Sequence, residues 1–235
     1  MFQYDQAIVA RFPQTVGGVI YATGLRNHVV SAELETLYVA EQQQTIARIG
    51  DTSLGDIPSL KAWRSVFSAF GLNPTKTRSA PEALLRRLTK KGDIPSINPL
   101  VDMGNLVSIR YALPIAIFDT CDLTGTLTVK FADGSERYTE LGSVDSDHPE
   151  IGEVVFADDR GLVFARRWCW RQSHQSAAQN STEDVLITIE GQHDNGHHDV
   201  EQAMNDLLEL LDKFVGGQYQ YALLDKQDTH FTPDT

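Results

Sequence analysis

Cysteine is scarce: there are two in 235 residues, Cys121 and Cys169, and neither sits in a CxxC pair. That excludes a disulfide framework and makes a reducing, cytoplasmic setting the expectation. No apolar run approaches the roughly 20 residues of a membrane span. The start, Met1-Phe2-Gln3-Tyr4-Asp5, lacks the basic opening and apolar stretch of a signal peptide. No membrane partner is therefore expected. The phosphate loop GxxxxGK with Ser or Thr is missing, as are GxGxxG and GxSxG. Nothing points to a nucleotide cradle, a nucleophile elbow or a cofactor. No period of roughly 20–50 residues repeats, which excludes solenoids and propellers. Positive charge is also short, with 20 Lys+Arg against 32 Asp+Glu and a net charge of −12. A general DNA-coating protein needs a basic surface, so DNA is not an expected partner.

What is present reads as a globular chain. Hydrophobic residues make up 41% and charged residues 22%, ordinary values for a folded protein. One module over residues 1–235 is expected. The few cations are not spread evenly. Lys76, Arg78, Arg86, Arg87, Lys90 and Lys91 lie within one window with Glu82 as the only acid, so the window carries +5 and the rest of the chain −17. A basic island on an acidic body can hold a polyanion. Its bland counterpart is a solvated helix face that complements a helix dipole.

The pattern predicts strands over 3–12 and 18–23, then a helix over 32–49 with Ser31 as N-cap, Gly50 as stop and Leu34, Leu37, Tyr38, Ile46 and Ile49 on one side. A helix over 60–70 follows. Ser79-Ala80-Pro81-Glu82 reads as a capping box opening a helix that Gly92 ends. A further helix spans 99–110. The period then changes to two, with strands over 115–118, 126–131, 136–141, 153–157, 162–168 and 184–190. Asp133-Gly134 signals a hairpin between the second and third of these, and Arg160-Gly161 marks another turn. Asp199 is placed as the cap of a helix over 200–215, and 218–224 as the last strand. Helices before a long antiparallel section predict an α+β fold rather than a βαβ sheet.

Two clusters could carry chemistry. His193, Asp194, His197, His198 and Asp199 include a histidine pair four apart, but Asn195-Gly196 between them favours a polar loop, so no metal is expected. Residues 166–171, Arg-Arg-Trp-Cys-Trp-Arg, close a strand. Strand alternation would send Arg166, Trp168 and Trp170 to one face and Arg167, Cys169 and Arg171 to the other. That arrangement suits either a cleft binding carboxylate or phosphate or a core tryptophan pair flanked by surface ion pairs.

Residues 94–119 carry Ile97-Asn98, Val101-Asp102, Asn105, Pro114 and Phe118-Asp119 in that order. This stretch resembles the tRNA-binding and editing module (B3/B4-type) of the phenylalanyl-tRNA synthetase beta subunit, and the likeness extends over about 60–190. The chain looks like a free-standing relative without a synthetase core. The resemblance implies N-terminal helices packed on a largely antiparallel β section. It implies an aminoacylated tRNA 3′ end as partner and hydrolysis of a mischarged ester as activity. Ala116 stands where the family has a histidine, and Cys169-Trp170-Arg171 replaces a Gly-Gly-Glu stretch, so tyrosine clearance is not carried over.

Ester hydrolysis needs a held water and a site for the oxyanion, and neither a metal nor a covalent nucleophile. Asn98, Arg171 and Ser173 are the catalytic candidates. Asn98, Asn105, Arg167, Arg171, Ser173 and Glu190 are the ligand-binding candidates, with Glu190 available to an α-amino group. Arg86, Arg87, Lys90 and Lys91 are the candidates for tRNA phosphates. Asn98, Asp102 and Asp119 have structural readings as caps or backbone partners. The competing functions are a non-enzymatic binder of a small amino-acid-like or carboxylate ligand, and a structural partner whose acidic body docks another subunit.

Overall fold

The strand Val185–Gly191 is buried along its whole length. Val185, Ile187 and Ile189 enter one hydrophobic core and Leu186 enters another, as strand alternation requires. The computed structural model describes residues 1–29 and 31–234. Its elements are β1 (Phe2–Tyr4), α1 (Gln6–Arg11), β2 (Val16–Thr23), α2 (Ala32–Ile49), α3 (Pro58–Ala69), α4 (Ala80–Lys91), α5 (Pro99–Tyr111), β3 (Ile115–Asp119), β4 (Leu127–Phe131), β5 (Tyr138–Thr139), β6 (Ser146–Asp147), β7 (Val154–Ala157), β8 (Val163–Arg166), β9 (Arg171–Gln172), β10 (Val185–Gly191), α6 (Gly196–Phe214), β11 (Gln218–Leu224) and β12 (His230–Phe231).

Two sheets result. One has the order β11-β2-β10-β3 and is antiparallel throughout. The other has the order β12-β1-β4-β7-β8-β9, with β1 and β4 its parallel pair. Helices α2, α4, α5 and α6 pack on one face of the four-stranded sheet through an aliphatic core. The second core lies between the sheets, with α1 and α3 contributing, and is rich in aromatics, among them Trp63, Phe118, Phe156, Phe164 and Trp168. The fold is α+β, and residues 94–119 run helix then strand with Phe118 fully buried.

Several local expectations are corrected. Residues 3–12 are not one strand: the Asp5 side chain accepts from the Ala7 amide and starts α1 after three strand residues. On α2, Leu37 and Ile46 are exposed, while Glu41, Gln42 and Thr45 are buried. The capping box does not close. Ser79 precedes α4 but makes no side-chain cap bond, and the Glu82 carboxylate, the other half of the box, accepts instead from Arg64 at 2.9 and 2.6 Å. Asp133-Gly134 makes a turn but no hairpin, since β4 takes β1 and β7 as neighbours and β5 pairs with β6. Helix α6 begins at Gly196, so Asp199 lies inside its first turn. The strand expected over 162–168 stops at Arg166.

Close packing makes one glycine decisive. A methyl group on Gly17 would collide with the Tyr4 hydroxyl, and Tyr4 is pinned by its 2.9 Å bond to Glu190. Gly17→Ala is expected to cost about 1–3 kcal/mol, seen as a lowered melting temperature. An unchanged temperature would mean that the two sheets can separate locally to admit a methyl.

Candidate functional site

Helix α4 buries Leu85 and Leu88 and leaves Arg86, Arg87, Lys90 and Lys91 exposed. Gly92, at φ 84°, ends it in the left-handed conformation a Cβ disfavours. Glu82, 1% exposed, anchors the helix to Arg64 of α3 and lies 3.7 Å from Arg78. Facing α4 is the turn between β8 and β9. There Arg167 and Trp168 both take positive φ, 49° and 59°, and reverse the chain. The Cys169 carbonyl accepts from the Ala80 amide at 2.8 Å, which ties the turn to the start of α4.

This reversal corrects the expected alternation over 166–171. Arg166 is buried against Glu153, with Nε and Nη2 each 2.9 Å from its carboxylate. Trp168 is buried in the aromatic core. Trp170 is brought beside α4, with the Arg167 and Arg171 guanidinium carbons 4.4 and 4.5 Å from its ring centroid. Arg171 also pairs with Glu140. An open groove of about 540 Å³ runs here, lined by Lys76, Arg78, the four basic residues of α4, Trp170 and Arg171. Arg87 has an exposed partner in Asp93 at 3.4 Å. Among the described residues, no carboxylate lies within ion-pair distance of Arg86, Lys90 or Lys91. Arg78, Arg87 and Arg171 have carboxylate partners, but with Arg86, Lys90 and Lys91 left over and planar guanidiniums present the groove can hold phosphates.

The other sequence-derived candidates lie elsewhere. Asn98 caps α5: its Oδ1 accepts from the Val101 amide at 3.1 Å and from Asn27 at 3.2 Å, and its Nδ2 donates to the Ala178 carbonyl at 3.0 Å. It lines a separate polar pocket of about 250 Å³ with Asn27, His28, Glu35 and Asp102. Asp102 accepts from Ser96 and from the Ile97 amide, and burial raises its carboxyl above the usual range against those bonds. Asn105 is partly buried beside the Tyr38 hydroxyl. Ser173 is fully buried and bonded to Ser176 at 3.1 Å. Glu190 is 2% exposed. Its Oε1 accepts from Tyr4 at 2.9 Å and from Trp168 at 2.8 Å. Burial pushes its carboxyl up to about 7, against the pull of those two donors. Ala116 sits on β3 opposite Thr188. Asp119 accepts from the Cys121 amide and from Thr182.

His193 gives its Nε2 to Asp199 at 2.8 Å. Among the described residues, no three His, Cys, Asp or Glu side chains are arranged to hold a metal ion. Thus the basic island and the 166–171 segment, separate in sequence, share one groove, while Asn98, Ser173 and Glu190 lie outside its lining. Glu140 and Glu153, the acids that engage these arginines, carried no signal in the sequence because each pairing is made across strands.

A family model, the B3/4 domain, matches residues 62–216, more than half of the chain. The chain belongs to the B3/4 domain family. Among curated relatives of this B3/4 protein is the phenylalanine–tRNA ligase beta subunit of Nitrobacter winogradskyi, 36% identical over 113 residues, which are 48% of this chain and 13% of the relative. That of Fusobacterium nucleatum is 31% identical over 114 residues, 48% of this chain and 14% of the relative. That of Shewanella oneidensis is 27% identical over 110 residues, 47% of this chain and 14% of the relative. The B3/4 chain therefore spans a small fraction of their length. A solved N-terminal fragment of the phenylalanyl-tRNA synthetase beta subunit from Pyrococcus horikoshii is also similar, at 14% identity and a TM-score of 0.48, covering 93% of this chain and 50% of the fragment. Among the described residues, no helix is long and apolar enough to cross a membrane.

Proposed function

We propose that this B3/4 protein binds RNA, with a tRNA as partner, through the groove between α4 and the β8–β9 turn, and that residues 1–235 act as one module. The observation that carries the reading is the gathering of Arg86, Lys90, Lys91 and Arg171 around Trp170 in one groove of an otherwise acidic chain. Membership of a family found in phenylalanine–tRNA ligase beta subunits supports tRNA over other polyanions. The two central strands β2 and β10 serve both cores, which supports a single module. Binding comes first in this reading. The Asn98 amide and the Ser173 hydroxyl, two of the catalytic candidates, are engaged in internal hydrogen bonds. Deacylation of a mischarged tRNA, with Arg171 on a phosphate or the oxyanion, is the activity to assay once binding is established.

The test is salt dependence. Changing Arg86, Arg87, Lys90 and Lys91 together to Gln should weaken tRNA binding. It should lower the log–log salt slope by roughly 0.7–0.9 for each phosphate that is no longer neutralised. An unchanged slope would return the groove to a solvated helix face. Single-turnover assays with a panel of mischarged tRNAs then decide on hydrolysis.

The polar pocket at Asn98 favours a second reading, a small amino-acid-like ligand whose ammonium meets Glu35 and Asp102. A thermal-shift series with free amino acids tests it. No shift with any of them would leave the pocket without that role.

A further inference from the structure

We propose that Glu190 is a positioning residue for the basic groove: from β10 it holds the turn that carries Arg167, Trp170 and Arg171. The proposal rests on the RNA-binding reading of that groove. The turn does not hold itself. Two consecutive residues with a Cβ sit in the left-handed region, Arg167 at φ 49° and Trp168 at φ 59°, which requires the surroundings to impose it. Bonds to the turn's own amides account for part of this: the Trp168 amide donates to the Val154 carbonyl at 2.7 Å, and the Arg167 amide to the Glu153 carboxylate at 3.0 Å.

The Trp168 side chain accounts for the rest. Its ring meets Trp63 and Phe12 edge-on, both at 5.2 Å between centroids. Such contacts fill space but fix orientation weakly. The directional contact is the indole N–H to Glu190 Oε1 at 2.8 Å. That acceptor is itself fixed by Tyr4 of β1, whose hydroxyl donates to it at 2.9 Å. Trp170, two residues on, then lines the groove with the α4 cations and has the two guanidiniums against its ring.

A carboxyl without a cation inside an aromatic core is costly, so packing alone does not account for it. The groups facing Glu190 are few. Tyr4 comes from β1 and Cys169 from the turn, and both are pushed well above their ordinary values by burial and by the Glu190 charge. Gly17, opposite on β2, has no side chain, and Trp168 carries no charge. Glu190 is therefore the group in this cluster that titrates near neutrality.

The experiment compares the wild type with Glu190→Gln, Glu190→Leu and Trp168→Phe, the last keeping a ring but no N–H. The readouts are the indole N–H resonances of Trp168 and Trp170 and a tRNA-binding salt series. In the wild type, both resonances should titrate together with a midpoint at about 7, and Gln should abolish that titration. Leu and Phe should displace the Trp170 resonance and weaken tRNA binding by about ten-fold. They should lower the salt slope by roughly 1.4–1.8, as expected when two phosphates are no longer neutralised. Gln keeps an acceptor oxygen and should stay within about two-fold of wild type. If Leu prevents folding, Phe decides. A Trp170 resonance unmoved in Trp168→Phe, or binding unchanged with it, overturns the positioning role. A wild type that does not bind tRNA overturns the RNA reading instead, and the Trp170 resonance then still decides the role of Glu190.

Discussion

Glu153→Ala is expected to cost about 3–5 kcal/mol of unfolding free energy. Glu153 is 6% exposed and takes two guanidinium nitrogens of Arg166, each at 2.9 Å. The Arg166 side chain is 8% exposed. Without the acid, its charge stays buried with Asp147 as an exposed partner at 2.9 Å. Breaking a buried pair from one side costs more than the pair is worth, because the surviving ion is deprived of its water as well as its partner. Glu153 also accepts from the Arg167 amide, so the same change should weaken tRNA binding by loosening the groove turn. Urea unfolding at constant m-value measures the stability term. A loss below about 1 kcal/mol, the scale of a surface pair, would mean that the guanidinium finds solvent by a small shift of β8.

The second large effect is a pH dependence. The Glu190 carboxyl is held at about 7 in the folded protein against an ordinary value of 4.5. Between those values the native state keeps a proton that the unfolded chain releases. Stability therefore falls as pH rises through that window and levels off above it. The span corresponds to about 3 kcal/mol. Glu190→Gln removes this titration but places an amide N–H₂ in the same buried site. The informative quantity is thus the change in the stability difference between the two proteins. From pH 4.5 to pH 8 that difference should move by about 3 kcal/mol in favour of Gln. Parallel stability curves would mean that Glu190 ionises near its ordinary value, with water reaching it.

Local features were legible where a few neighbouring residues decide them. Ser31 and Gly50 bound α2 because the cap and the stop act within one turn. Asn98 caps α5, as its place before Pro99 suggests. Arg160-Gly161 turns β7 into β8 because the two strands are adjacent in both sequence and sheet. Features that depend on distant partners were not legible. Asp133-Gly134 has the composition of a hairpin turn, yet β4 is claimed on both sides by β1 and β7. Glu82 has the position of a capping-box acid, yet Arg64 offers a charged partner at 2.6 Å. A guanidinium outcompetes a backbone amide for a carboxylate.

By itself, the sequence determined the α+β class, the bounds of α2, α4 and α5, the basic face of α4 and the 94–119 pattern that places the chain with its family. These follow from periodicity, caps and residue order, which act over one or two turns of chain. The tertiary structure alone decided that residues 166–171 leave strand geometry, that Arg171 and Trp170 join α4 in one groove, and that Glu190 lies beneath them with Tyr4 and Trp168 as donors. Each of those outcomes needs groups from several elements at once. Two positive φ angles are tolerated where an anchored indole and a buried carboxylate hold them, and no local rule brings β1, β10 and the β8–β9 turn to one point.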